Sequence, residues 1–301
     1  MKVAIRPRYL IGVFIIVNAL IFSVVTFLLL EIKKNAVIPL DNKITPIVLP
    51  FLPDELKKID VSSRAYIIYD PKTRTIVSGK NEKLRFVPAS STKIMTATIA
   101  LEEYKLDDVL IAKGLDEVEG SVMKLREEEA ITAENLLFGL MLPSGNDAAH
   151  VLASHYPGGK NAFIARMNGK ASELELKNTK FIDPAGFSDD NYTTAYDLAR
   201  LASYALKKPK FSEIVSTKNK IVTDVTGKIT HNLSNLNELL GVDGVNGVKT
   251  GFTEEALGVL VSSINKDDAS YVIVVLGSND RFFDTKNIIN QGVKNITHIS
   301  Y

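Results

Sequence analysis

The sequence predicts a mixed α/β fold of the α+β type, with an antiparallel sheet flanked by helices and one transmembrane helix ahead of it. Three observations predict it. Residues 9–30 are almost unbroken apolar sequence. The middle of the chain carries helical apolar runs separated by Pro/Gly turns. The last third carries alternating or fully apolar runs of strand length.

In chain order, residues 1–8 hold Lys2, Arg6 and Arg8 and read as a short cytoplasmic N-terminus. Residues 9–30 have only Asn18, Ser23 and Thr26 as polar exceptions. As a helix they span roughly 33 Å, against a bilayer core of about 30 Å. The run exceeds the apolar region of a cleaved signal peptide, about 7–15 residues, so it reads as an uncleaved anchor. Positive charge is slightly greater before it than at Lys33 and Lys34, which puts the N-terminus in the cytoplasm and the body outside. Residues 31–55, with Pro39, Pro46, Pro50 and Pro53, read as a semi-extended linker, and residues 56–301 as one globular domain.

Within that domain, residues 64–70 and 74–78 flank Asp70-Pro71-Lys72-Thr73 as a hairpin. Pro88 and Ser90 are helix-start residues, and the helix runs on through Leu101. Residues 133–142 and 148–155 are helices on either side of the turn Pro143-Ser144-Gly145-Asn146-Asp147. Residues 162–174 and 194–206 are helices separated by the loop Asp183-Pro184-Ala185-Gly186-Phe187. Strands follow at 220–224, 228–231, 244–249 (leading into Thr250-Gly251-Phe252-Thr253), 258–264 and 270–276, then a closing helix at 286–293. Glu102, Glu103 and residues 126–129 read as solvated faces, and His150 and His155 as surface or packed side chains.

Composition excludes several function classes. The 301 residues are 46% hydrophobic with a net charge of +1, so there is no electrostatic case for nucleic acid. Cysteine is absent, which removes disulfides, thiolate metal sites and cysteine nucleophiles. The four histidines form no His-Glu-x-x-His motif, and no glycine-rich phosphate loop occurs. No metal and no cofactor is expected.

Ser90-x-x-Lys93 sets a serine and a lysine on one helix face, with Cβ atoms about 5–6 Å apart. A serine hydroxyl needs a base, and a lysine can serve only when neutral, against a reference pKa of about 10.4. Burial or a second cation would lower it. Two further motifs follow in order: Ser144-Gly145-Asn146 in a tight inter-helix turn and Lys249-Thr250-Gly251 on a strand. Each is weak alone. Together they resemble the Ser-x-x-Lys, Ser-Asp-Asn, Lys-Thr-Gly signature of class A β-lactamases and penicillin-binding proteins, with Gly145 in the central place of the middle motif.

With their flanks, Pro88–Thr96, Leu142–Ala149 and Gly247–Thr253, these motifs closely resemble the serine-type D-alanyl-D-alanine carboxypeptidases. These are low-molecular-mass penicillin-binding proteins of the S11 peptidase type. Asn178-Thr179-x-Phe181-x-Asp183-Pro184-Ala185-Gly186 is similar too, and the resemblance covers about residues 56 to 296. It implies a β-lactamase/DD-peptidase-like fold with an all-helical subdomain. It implies an acyl-enzyme on Ser90, with Lys93 as base and Ser144 relaying protons to the leaving group. Asn146 would hold the substrate backbone, Lys249 would keep Lys93 partly neutral, and Thr250 would bind the terminal carboxylate with help from Arg281. Backbone N–H groups of Ser90 and Phe252 would form the oxyanion hole, with Gly251 counted among the substrate-binding residues.

The implied partners are a peptidoglycan stem peptide ending in D-Ala-D-Ala, β-lactams as inhibitors, and the membrane through the N-terminal helix. The chain departs from the family at Phe252, where tyrosine or histidine is usual. It also leaves no room for the second β-rich domain and C-terminal anchor of many members, so the N-terminal helix is expected to anchor it. Alternatives share the motifs: an endopeptidase cutting D-Ala crosslinks, and a sensor module that is acylated without turnover. A β-lactamase would need a water-activating glutamate, for which Glu173 and Glu175 are the nearest candidates in sequence.

Overall fold

The computed structural model describes residues 7–35, 48–266 and 269–300. The chain divides into a unit of residues 1–47 and a unit of residues 48–301. In the first, one helix, α1 (Pro7–Asn35), carries the apolar run, and its stretch Phe14–Lys33 is long and apolar enough to cross a membrane. The helix passes residue 30, where the linker was expected to begin.

The second unit is built on a five-stranded antiparallel sheet. Its strands are β2 (Ala65–Asp70), β3 (Thr75–Lys80), β8 (Val245–Thr253), β9 (Leu257–Lys266) and β10 (Ala269–Ser278). They lie in the order β3-β2-β10-β9-β8. Period-two alternation assigns each strand's side chains to opposite faces. Ala65, Ile67 and Tyr69 of β2, with Val272, Val274 and Leu276 of β10, join the large helical core. Tyr66 and Ile68, with Tyr271, Ile273 and Val275, join a smaller core on the other face. Burial on both faces is why these strands read as continuous apolar runs rather than as clean alternation.

The helical layer comprises α2 (Lys93–Glu103), α3 (Ala133–Met141), α4 (Asn146–Ser154), α5 (Gly159–Glu173), α6 (Ala195–Ala205) and α7 (Pro209–Ser216). Thr132 accepts from Asn135 N at the start of α3, and Thr194 accepts from Asp197 N at the start of α6. Helix α2 is buried on every side from Lys93 to Ala100. A lysine opening such a helix loses its water, and the chemistry of the site begins there.

Several elements depart from expectation. The stretch read as linker contains strand β1 (Val48–Phe51), which pairs antiparallel with β11 (Thr297–Ser300). Pro50 sits there in an edge ribbon, where a missing N–H is tolerated. Helix α7 and the small hairpin β4 (Val109–Ile111) with β5 (Ala130–Thr132) were not anticipated. The closing helix starts earlier, at α8 (Arg281–Asn287), where Asp280 accepts from Phe282 N and Phe283 N.

In each of two charged stretches expected to be solvated one residue departs, while Glu103, Arg126, Glu127 and Glu128 are exposed as expected. Glu102 is gripped by Arg166, Lys170 and Lys208. Glu129 is buried, with Oε1 at 2.7 Å from His231 Nε2. His231 lies on β7 (Thr230–Ser234), which pairs with β6 (Asn219–Thr223). Its Nδ1 is 3.1 Å from Met123 O, so the pair ties this hairpin to the loop before β5. A His231→Leu variant strands the carboxylate in the interior. It is expected to lose about 3 kcal/mol of stability in a urea titration; a loss below about 0.5 kcal/mol, the scale of an ordinary surface change, would refute the bridging role.

Candidate active site

Ser90 lies in a 3-10 turn, Ala89–Thr92, that leads directly into α2. Its neighbour Ser91 is fully buried and donates to Pro88 O at 2.6 Å, whereas Ser90 is partly exposed. The turn therefore presents one hydroxyl and hides the other.

Lys93 Nζ lies 3.1 Å from Ser90 Oγ, 2.6 Å from Asn146 Oδ1 and 2.7 Å from Ala185 O. The ammonium form donates to all three. A neutral amine has two N–H groups and one lone pair. The two shorter contacts take the N–H groups, and the lone pair is left for the Ser90 hydroxyl, the longest of the three. Complete burial pushes Lys93 down to about 7, opposed by the carboxylates of Asp183 and Asp147. The Lys93 amine is thus available as a base near neutral pH.

Both clamps are themselves held. Asn146, at the start of α4, donates Nδ2 to Glu119 O at 2.6 Å. Next to it, buried Asp147 accepts from Met123 N and Leu125 N, fixing the same loop. Ala185 belongs to a loop wound around Asp183, which accepts from the N–H groups of Ala185, Gly186, Phe187 and Ser188. Burial raises the Asp183 pKa, but those bonds and one from the Asn191 amide outweigh it, and the carboxyl lies below its ordinary value. Gly186 has φ +76°, and a Cβ there would sit 1.9 Å from Ala89 O. Gly186→Ala must displace the nucleophile turn, with a loss of about 3 kcal/mol or more. Thermal unfolding within about 2 °C of the parent would contradict it.

Edge strand β8 brings the third motif to the same turn. A Cβ on Gly251 would lie 3.1 Å from Ser90 N, so the strand runs past the nucleophile in van der Waals contact. Lys249 and Thr250 are buried, while Phe252 is 61% exposed on the rim. Lys249 Nζ donates to Thr250 O at 2.9 Å. Burial, then the charges of Lys93 and Arg281, hold the Lys249 amine well below its ordinary pKa. Lys249 was expected to keep Lys93 partly neutral; the shift at Lys93 comes from burial, and the repulsion between the two amines lowers Lys249 instead.

Arg281 opens α8 with its guanidinium carbon 4.7 Å from the Phe282 ring centre and its Nε buried without a hydrogen-bond partner among the described residues. Burial lowers its pKa, against Glu238 and Asp280. Ser144 is buried at φ +65° in the turn before Asn146.

Hydrogen bonds therefore join Ser90, Lys93 and Asn146, and electrostatic coupling joins Lys93, Lys249 and Arg281. Asn146, expected to meet substrate, here has both ends of its amide engaged by protein. Sequence reasoning missed the Ala185 carbonyl, the Glu119 carbonyl and the scaffolding role of Asp147. The Asp183-Pro184-Ala185-Gly186 stretch was the available signal, read as a loop and as part of the family resemblance but given no role at the site. Glu173 pairs with Lys170 and Arg166, and Glu175 lies 3.9 Å from Arg200.

A family profile described as D-alanyl-D-alanine carboxypeptidase matches residues 53–280. A D-alanyl-D-alanine carboxypeptidase, DacF, of Bacillus subtilis is 33% identical over 247 residues, covering 77% of this chain and 63% of that protein. A D-alanyl-D-alanine endopeptidase of Escherichia coli is 31% identical over 257 residues, covering 80% and 83%. The crystal structure of the Streptomyces K15 DD-transpeptidase superposes with a TM-score of 0.75 at 32% identity, covering 79% of this chain and 99% of that one.

Proposed function

Because the chain belongs to the D-alanyl-D-alanine carboxypeptidase family, we propose that it is a serine peptidase that removes the terminal D-alanine from peptidoglycan stem peptides and is acylated by β-lactams. The single observation that carries this reading is the fully buried Lys93 amine, 3.1 Å from the Ser90 hydroxyl.

The substrate's anionic end suits the cationic wall. Arg281 supplies charge, Lys249 N–H donors and Thr250 a hydroxyl for the terminal carboxylate. Edge strand β8 leaves main-chain groups for an extended peptide to pair with. Lys93 takes the Ser90 proton as Oγ attacks the penultimate carbonyl. The N–H groups of Ser90 and Phe252 receive the oxyanion, each such donor being worth on the order of 10²–10³ in rate. Ser144 passes a proton to the departing amine, and water then frees the acyl group.

Helix α1 supports attachment to the membrane. The charge balance of its flanks supports a cytoplasmic N-terminus and an extracytoplasmic catalytic domain. A second reading, cleavage of D-Ala crosslinks, is favoured by the endopeptidases among the relatives. The test compares D-alanine release from a peptide ending in D-Ala-D-Ala with release of monomers from a crosslinked dimer, alongside labelling by a fluorescent penicillin. Labelling without either release would reduce the protein to a sensor.

A further inference from the structure

Residues 118–129 form neither helix nor strand, and Glu119, Gly120, Ser121, Val122 and Lys124 are exposed. Within 119–125 Met123 alone is buried, and Lys124 and, just beyond, Glu128 hold left-handed φ values of +71° and +62°. Left free, such a segment relaxes, because few apolar contacts hold it and those conformations are disfavoured outside glycine. Polar bonds keep it in place. Asn146 donates Nδ2 to Glu119 O and its own main-chain N–H to Ser121 O at 2.7 Å, and Asp147 accepts from Met123 N and Leu125 N. The remaining bond runs to His231, whose Nδ1 lies 3.1 Å from Met123 O. Among the described residues, 119–125 make no hydrogen bond beyond these.

The segment is therefore held from two sides, by the turn that carries Asn146 and by His231. A carbonyl oxygen only accepts, so Nδ1 carries a hydrogen. On the far side of the ring Nε2 faces Glu129 Oε1 at 2.7 Å, and Glu129 Oε2 accepts from Arg126 N. His231 and Glu129 are both buried. The segment in turn sets the Asn146 amide. Glu119 O accepts only from the NH2 end, which leaves Oδ1, 2.6 Å from Lys93 Nζ, facing the base. The main chain lies close to that amide: a Cβ on Gly120 would sit 2.8 Å from Asn146 Nδ2. A turned amide would offer Lys93 hydrogens in place of an acceptor, and the amine's lone pair would no longer be aimed at Ser90.

We propose that His231 is a positioning residue for the acylation step. It fixes the main chain at Met123, the segment 119–125 fixes the Asn146 amide, and the amide orients Lys93 toward the Ser90 hydroxyl. Glu129 keeps the ring in the orientation this needs. The proposal rests on the serine-peptidase reading and extends its machinery to the β6–β7 hairpin, which none of the three motifs includes.

The test follows acylation of the full chain by a neutral β-lactam amide, with the active fraction counted by fluorescent penicillin. His231→Asn places an amide nitrogen where Nδ1 was and keeps the bond to Met123 O. His231→Gln places one where Nε2 was, so it keeps Glu129 paired and drops that bond. The acylation rate constant at saturation stays within about twofold of the parent in His231→Asn and falls about tenfold in His231→Gln, the effect of a displaced catalytic group. The half-saturating concentration is unchanged in both. In an Asn146→Ala background His231→Gln has no further effect, because the side chain it acts through is gone. Glu129→Met with His231→Leu strands no charge and reproduces the His231→Gln loss, which keeps the test open if His231→Gln fails to fold. Equal rates in His231→Asn and His231→Gln, a parent rate in the double variant, or a full further loss in the Asn146→Ala background overturns the proposal and leaves the reaction standing. A parent chain that takes no label overturns the acyl-enzyme reading and the proposal with it.

Discussion

A Ser90→Ala variant releases D-alanine at a rate on the order of 10⁴- to 10⁶-fold below the parent, because the group that forms the acyl bond is gone. It also takes no covalent penicillin label. The neighbouring serine is the control. Ser91 is buried and spends its hydroxyl on Pro88 O, so Ser91→Ala costs about 1 kcal/mol of stability and keeps the label. Mass spectrometry of the penicillin adduct reads the outcome directly. An adduct mapped to Ser91, or full labelling of Ser90→Ala, would refute the assignment.

Removing the base has the next largest effect. Lys93→Ala lowers acylation by about 10²–10⁴, the range of a positioned general base. The parent enzyme supplies the independent check through pH. Lys93 sits at about 7 in the folded protein, and only the uncharged amine has the lone pair to take the serine proton. Acylation by a neutral-charge β-lactam amide therefore rises with pH through about 7 and levels off above it. Below that point it falls about tenfold per pH unit, in proportion to the neutral fraction. A profile flat from pH 5 to 9, or one that falls on going alkaline across about 7, contradicts a neutral lysine base. Lys93→Ala loses this pH limb along with the rate.

Much of the molecule could be read from local sequence, and particular residues mark the limit. The hairpin around Asp70-Pro71, the strands at 258–264 and 270–276, and the helix opened by Thr194 follow from turn chemistry, apolar runs and capping, all of which act over a few residues. Strand β1 escaped because its partner, β11, lies about 250 residues away, and four residues with a proline carry no strand signal of their own. Glu129 escaped for the same reason. Its position among four charged residues says solvent, and only His231, 102 residues on, makes it interior.

By itself the sequence determined the apolar helix, the three motifs in order and the residues that carry them, because motif spacing and hydrophobic period are properties of neighbours along the chain. The tertiary structure alone decided that Lys93 loses its charge through burial, and that Asn146 and Ala185 O take its hydrogens. Those two groups also line one pocket with Glu117, Glu119 and Lys160. Desolvation and hydrogen-bond competition depend on what packs around an atom, and those neighbours come from segments far apart in the chain.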